Sequence, residues 1–180
     1  MKLKTHKTAV VIIPPENSWQ PIQEIRAKHD RHFRRWMPHI TMIYPFRPRE
    51  QFDEFAEPFH LACHEIRPFQ VTFKLFSSFY HQKENYTLWL NPEPKEPIIE
   101  LQNALLKLVQ DCDDTTKFKS GFTPHLSVAQ VKGKSAMLEL KDDLQSCWNS
   151  ISFKVKEVCF IWRNDPPDDV FRVSHHIKFI

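Results

Sequence analysis

Apolar residues recur along the chain with two different periods. Spacings of three or four positions, typical of one helix face, occur in four segments: 18–30, 50–66, 98–109 and 135–148. Shorter apolar or alternating runs, typical of strands, occupy seven others: 8–13, 38–44, 69–75, 86–90, 124–130, 151–162 and 170–179. Because helices alternate with strands that are often neighbours in sequence, the pattern predicts an α+β fold and not a doubly wound parallel sheet.

Individual residues in these segments add local predictions about caps, bends and strand pairing. Ser18 stands where a helix N-cap is expected, and Pro58 should bend or split the helix over 50–66. The alternation in 69–75 places Leu75 on the same face as the apolar residues before it, and this strand should pair antiparallel with 86–90. The segment 151–162 is predicted as one continuous strand.

Composition places the chain among ordinary globular proteins. It has 180 residues, of which 41% are hydrophobic and 26% charged, so we expect one domain over 1–180 and a monomer. With only two glycines, a glycine-rich phosphate loop is excluded. A formal net charge of +3 is compatible with an anionic substrate but does not demonstrate one.

Targeting signals are weak. The apolar run over 9–13 is too short for a signal peptide, and no run reaches the roughly 20 residues of a membrane span. The four cysteines lack CxxC spacing, which favours reduced thiols over a disulfide framework. We therefore expect a cytoplasmic or nuclear protein that is neither secreted nor membrane-bound.

A seven-residue pattern occurs twice, about half the chain length apart. Residues 36–42 read Trp-Met-Pro-His-Ile-Thr-Met, and residues 122–128 read Phe-Thr-Pro-His-Leu-Ser-Val. Both have the order aromatic, variable, proline, histidine, aliphatic, hydroxyl, apolar. Each copy follows a predicted helix and opens a predicted strand, so two lobes related by a pseudo-twofold axis would each present the same motif.

The residue types of the motif suit chemistry at a phosphate diester. In a strand, positions two apart share a face, so His39 projects with Thr41, and His125 projects with Ser127. One neutral imidazole could accept a proton from the attacking oxygen, and the other, protonated, could donate one to the leaving oxygen. The hydroxyls could bind the non-bridging oxygens, and no metal is required. A single such histidine would more often be structural, but repetition of the whole pattern favours catalysis.

The two motifs resemble those of a known family. Residues 39–42 and 125–128 are similar to the paired HxTx and HxSx signatures of the 2H phosphoesterase superfamily, and its 2′-5′ RNA ligase and cyclic phosphodiesterase branch is the best match. The continuation over 42–46 is also similar to that branch. The resemblance follows the element order over nearly the whole chain.

This resemblance implies a bilobal, pseudo-twofold fold in which two antiparallel sheets, flanked by helices, enclose a central cleft. It also implies metal-independent and cofactor-free action on a 2′,3′-cyclic phosphate or a 2′-5′ phosphodiester, with an RNA end or a nucleotide as partner. The first-motif histidine is usually the proton donor and the second the acceptor, which would correspond to His39 and His125. The residues themselves leave that order open. Ser127 stands in place of threonine and keeps the hydroxyl.

Other residues are weaker candidates. Aromatic side chains near the motifs could stack on a base: Trp36, Tyr44, Phe79, Tyr80 and Phe122. Three arginines could make a second phosphate contact: Arg35, Arg163 and Arg172. For each of these residues, core packing or an ordinary place on the surface is the alternative.

Two other functions stay open. A module on the same fold could bind nucleotides or RNA without catalysis. His60 and His64, with Cys63 beside them, have the spacing of a zinc pair, but no third and fourth ligand follows at a compatible distance in the sequence.

Overall fold

Two four-stranded antiparallel sheets organise the protein. The structure, a computed structural model, describes residues 3–118 and 120–180. Within these residues the strands are β1 Thr8–Ile12, β2 Ile40–Ile43, β3 Phe69–His81, β4 Asn85–Glu93, β5 Leu126–Lys132, β6 Ile151–Val155, β7 Glu157–Trp162 and β8 Arg172–Lys178. The α-helices are α1 Trp19–His29, α2 Phe52–His64, α3 Glu96–Leu106 and α4 Lys134–Cys147.

The strand order places the two motif strands at equivalent positions. The first sheet has the order β2-β1-β7-β8, and the second has the order β5-β4-β3-β6. Thus β2 and β5, which follow the two histidines, each form the edge of a sheet. The lobes do not coincide with the halves of the chain, because β7 and β8 return to the sheet that β1 and β2 began. The predicted bilobal α+β fold is confirmed.

Apolar side chains from both sheets and all four helices form one large buried core. A second, smaller cluster lies on the opposite face of the first sheet and consists of Ala9, Val11, Cys159, Ile161 and Phe171. Trp36, Met37 and Tyr44 pack against this small cluster. The first motif therefore lies over the face of its sheet that turns away from the large core.

The prediction of one strand over 151–162 is wrong. The segment divides at Lys156 into β6, which pairs with β3, and β7, which pairs with β1. The residues that face the large core also change parity at this point, from Phe153 and Val155 to Val158 and Phe160. Since a strand keeps one parity on each face, this change accompanies the break between β6 and β7.

Of the two effects predicted for Pro58, a split of the helix is wrong, because α2 continues through it. Pro58 lies on the exposed side, where water can solvate the carbonyl left without its N–H partner, while Phe55 and Phe59 anchor the other side in the core. None of the helices in the described ranges combines the length and the apolar character needed to cross a membrane.

Two smaller predictions fail for local reasons. Ser18 makes no side-chain cap; its hydroxyl instead donates to the Pro15 carbonyl at 2.7 Å. Leu75 is 51% exposed because the register between β3 and β4 shifts between Phe73 and Leu75, which turns Phe76 inward instead.

Candidate active site

Both motif histidines are held in the same way. Each lies one residue before its strand, so the strands begin at Ile40 and Leu126, two residues later than predicted. The Nδ1 of His39 donates to the Met37 carbonyl at 2.7 Å, and the Nδ1 of His125 donates to the Thr123 carbonyl at 2.7 Å. Because a carbonyl can only accept, each neutral ring carries its proton on Nδ1.

This arrangement leaves the other ring nitrogen, Nε2, unprotonated in the neutral ring and able to accept a hydrogen bond. No group in residues 3–118 or 120–180 hydrogen-bonds to Nε2 of His39 or of His125. The proline in each motif restricts the residue before it to extended conformations. The carbonyl of that residue is the acceptor for Nδ1 in both copies, so the repeated sequence produces a repeated side-chain orientation.

Burial determines the charge of both rings. Burial, assisted by the positive charges of Arg26 and His125, lowers the pKa of His39 to about 4, against the opposing effects of the bond to Met37 and the charge of Asp30. Burial likewise lowers the pKa of His125, opposed by the bond to Thr123. Both rings are therefore mainly neutral at pH 7 in the free protein. Because a charge on His125 acts on His39, the two rings lie within electrostatic range of each other.

An aromatic stack supports His39. Its ring lies on Trp36 at a centroid distance of 4.6 Å, and Trp36 also stacks on Phe171 at 3.7 Å. Arg26, which is 2% exposed, donates from Nη2 to the Trp36 carbonyl and from Nε to Asp30. Trp36 thus packs against the imidazole, and whether it also stacks on a base stays a prediction.

Two other aromatic rings support His125. Phe79 approaches it edge-on at 4.9 Å and Trp89 at 5.8 Å, and these two rings stack on each other at 4.8 Å. Trp89 lies opposite Ser127 in the β4–β5 register. Sequence reasoning missed Trp89, because only the pairing of β4 with β5 places it at the second motif.

The two motif hydroxyls belong to residues that are partly exposed. Thr41 lies opposite Val11 of the small apolar cluster, and Ser127 lies opposite Trp89. In the described part of the chain neither hydroxyl has a hydrogen-bond partner. Both are therefore available to accept or donate to a ligand in the cleft.

The other aromatic candidates lie in three different environments. Tyr44 is half-buried; its ring is edge-on to Trp36 at 5.6 Å, and its hydroxyl donates to the His6 carbonyl at 3.2 Å. Phe122 packs against the large core. Tyr80 is 65% exposed on the β3–β4 hairpin. Of these three, Tyr44 lies closest to the first motif's aromatic stack.

The arginine candidates also differ. Arg35 forms an ion pair with buried Asp169, and Arg172 forms one with Asp168. Arg163 makes no ion pair among the residues described; its guanidinium lies over the Phe171 ring at 5.7 Å. Burial raises the pKa of Tyr44, and the charges of Arg163 and Arg35 oppose this rise. Arg163 is thus the arginine with charge to offer an anion beside the first motif.

The paired motifs on two pseudo-symmetric lobes define the architecture of a two-histidine phosphoesterase. Residues 14–167 match the model of the 2′-5′ RNA ligase superfamily, and the chain belongs to that family. A protein of Geobacillus kaustophilus named as a candidate phosphoesterase is 30% identical over 55% of this chain and 57% of its own length. Another from Geobacillus thermodenitrificans is 27% identical over 69% of each chain. The first match thus spans little more than half of that relative.

Solved structures show the same fold. The protein TT0787 of Thermus thermophilus aligns over 95% of this chain and 96% of its own, with a TM-score of 0.64 and 16% identity. Escherichia coli LigT in its apo form aligns over 98% and 99%, with a TM-score of 0.59 and 17% identity. LigT complexed with 3′-AMP aligns over 98% and 96%, with a TM-score of 0.55 and 17% identity.

Proposed function

We propose that this protein is a phosphoesterase that acts on 2′,3′-cyclic phosphates or 2′-5′ phosphodiesters of RNA or nucleotides by two-histidine acid–base catalysis. The observation that carries the proposal is the identical positioning of His39 and His125. Each ring is fixed through Nδ1 to a carbonyl two residues earlier, which directs a basic Nε2 away from its own backbone. Structural histidines have no need for this duplicated arrangement.

The proposed reaction on a cyclic phosphate is a single displacement. Nε2 of the neutral histidine removes a proton from water as the water oxygen bonds to phosphorus. The bond from phosphorus to one ribose oxygen breaks, and the second histidine, protonated, gives its Nε2 proton to that oxygen. The products are a phosphate monoester and a free ribose hydroxyl. Each acid or base of this kind contributes roughly 10²–10⁴ in rate.

The lowered pKa of His39 bears on which ring is the acid. In the free protein His39 resists protonation, with a pKa of about 4. For His39 to act as the donor, the negative charge of a bound phosphate has to raise that pKa, as an opposite charge within about 4–6 Å does. The family's usual assignment, with His39 as donor and His125 as acceptor, therefore depends on substrate binding.

Groups around the rings fit a nucleotide substrate. Thr41 and Ser127 offer hydroxyls for the non-bridging oxygens, where charge accumulates during displacement. Arg163 offers a cation, and Tyr44 offers a ring beside the first motif. That a structure of LigT, which has the same fold, is complexed with 3′-AMP supports a nucleotide as the ligand.

The test is turnover of a panel of 2′,3′-cyclic nucleotides and cyclic-phosphate-ended RNAs, with the position of the product phosphate identified. His39→Ala and His125→Ala should each nearly abolish turnover, and the double variant should be little worse than either, because the pair acts as one unit. Turnover should persist in excess EDTA. His64→Ala, on the exposed end of α2, is the matched control and should keep wild-type turnover.

Two results would contradict the proposal. Binding of these nucleotides with no turnover of any of them would support the non-catalytic binding module instead. Fully additive losses in the double variant would show that the two histidines do not act on the same step.

A further inference from the structure

Three side chains with metal-binding atoms converge at the β7–β8 edge of the first sheet. Cys159 lies opposite His176 in the register, and Glu157, two residues before Cys159, shares its face. His176 Nδ1 is 2.9 Å from Glu157 Oε1 and 3.7 Å from Cys159 Sγ. All three donor atoms lie within 4.8 Å of one another, and no other such group of three occurs within 3–118 and 120–180.

These separations fit a tetrahedral zinc ion. Zinc bonds of about 2.3 Å to sulfur and about 2.0–2.2 Å to nitrogen or oxygen place tetrahedral donors roughly 3.3–3.7 Å apart. The two measured distances differ from this range by a few tenths of an ångström at most. Since the three residues lie on paired strands, small side-chain rotations suffice to receive the ion.

The geometry does not fit a catalytic thiol. In a nucleophile–histidine–carboxylate arrangement the two partners bind opposite nitrogens of the ring. Here Cys159 and Glu157 both approach Nδ1 of His176. Burial, with a smaller effect of the Glu157 charge, also raises the pKa of the Cys159 thiol to about 12, so the free thiol is a poor nucleophile.

The cluster is accessible from solvent. The His176 side chain is 54% exposed and that of Glu157 is 25% exposed, while Cys159 forms the buried side. Beside them is a cavity of about 300 Å³ whose wall includes Met37 and Val173. A water molecule in this cavity can complete a four-coordinate site.

We propose that Glu157, Cys159 and His176 bind one Zn²⁺ ion, which links β7 to β8. Binding replaces the thiol proton with a zinc–sulfur bond and releases that proton to solvent. The site uses none of the residues assigned to the phosphoesterase reaction, so it does not depend on the proposed function.

The His60–His64 pair considered from the sequence is the rival zinc site. Cys63, which would complete it, is fully buried in the large core, while both histidines are exposed on the other side of α2. These three residues therefore do not converge.

The test is calorimetric titration of the EDTA-treated and dialysed 180-residue chain with ZnCl₂. We expect one equivalent to bind and, in a parallel titration with Co²⁺, a thiolate-to-cobalt charge-transfer band in the near ultraviolet. Cys159→Ser should remove that band, and His176→Gln should weaken binding of zinc by at least ~10-fold. At a zinc concentration ~100-fold above Kd, Tm should rise by roughly 5–10 °C.

Matched controls separate this site from others. Cys147→Ser removes an exposed thiol and His64→Ala removes a ligand of the rival pair, and both variants should bind zinc as the wild type does. The proposal is overturned if the wild type binds no zinc, if Cys159→Ser keeps the cobalt band, or if His64→Ala abolishes binding.

Discussion

The part-buried, neutral ring of His39 should make the stability of the protein depend on pH. An imidazole in the unfolded chain takes up a proton near pH 6.5, whereas in the folded protein burial lowers the pKa of His39 to about 4. Between these two values the unfolded state binds more protons. The contribution of His39 to stability is therefore complete above about pH 6.5 and is lost as the pH falls towards 4.

The size of this effect follows from the two pKa values. At pH 4.5 the unfolded imidazole is almost fully protonated while folded His39 stays mostly neutral. The free energy of unfolding should fall by about 2.5 kcal/mol from this residue between pH 7 and pH 4.5. In a domain of this size, that corresponds to roughly 5–10 °C in Tm.

The assay is urea unfolding at pH 7 and pH 4.5 of the wild type and of His39→Asn. Asparagine has no titratable group, and its amide can replace Nδ1 as the donor to the Met37 carbonyl. The wild type should lose about 2.5 kcal/mol more than His39→Asn over this interval. Thr41→Val, which changes the same strand without removing a titratable group, should keep the wild-type dependence on pH.

Equal losses in the wild type and in His39→Asn would refute the reasoning. Such a result would mean that folding leaves the proton affinity of His39 unchanged. The ring would then be more hydrated than its packing on Trp36 implies. An NMR titration of the His39 ring provides an independent measurement of the same pKa.

Three further predictions concern the surroundings of the pair. Thr41→Val and Ser127→Ala should each lower kcat by about 10²-fold and raise KM less than that, whereas Ser127→Thr should leave both nearly unchanged. A wild-type kcat in both Thr41→Val and Ser127→Ala would mean that these hydroxyls only bind backbone groups at the strand ends. Arg26→Ala should cost about 3–5 kcal/mol in urea unfolding, because it leaves Asp30 charged and buried, and a loss under 1 kcal/mol would contradict that. Trp36→Leu should lower kcat because the His39 ring loses its stacking partner, while circular dichroism should show an unchanged fold. An unchanged kcat would show that Trp36 does not position the His39 ring.

The sequence by itself determined the element types, the α+β class and the two motifs. These follow from local regularities: a helix and a strand each have their own apolar period, and a repeated seven-residue pattern can be recognised without knowing its surroundings. The exceptions were also local. Pro58 was tolerated because it faces water, and the bulge before Leu75 reversed the side on which the next residues lie.

Only the tertiary structure decided which strands pair, and with them the surroundings of each site. The sequence 151–162 contains two strands because its halves pair with different partners, β3 and β1. Trp89 lies beside His125, and Cys159 beside His176, through registers between strands. Such contacts depend on hydrogen bonds between strands that are distant in sequence. Many alternative pairings of similar apolar strands would be compatible with the same sequence pattern. The physical reason is that a strand's own period specifies its two faces but does not specify its neighbour.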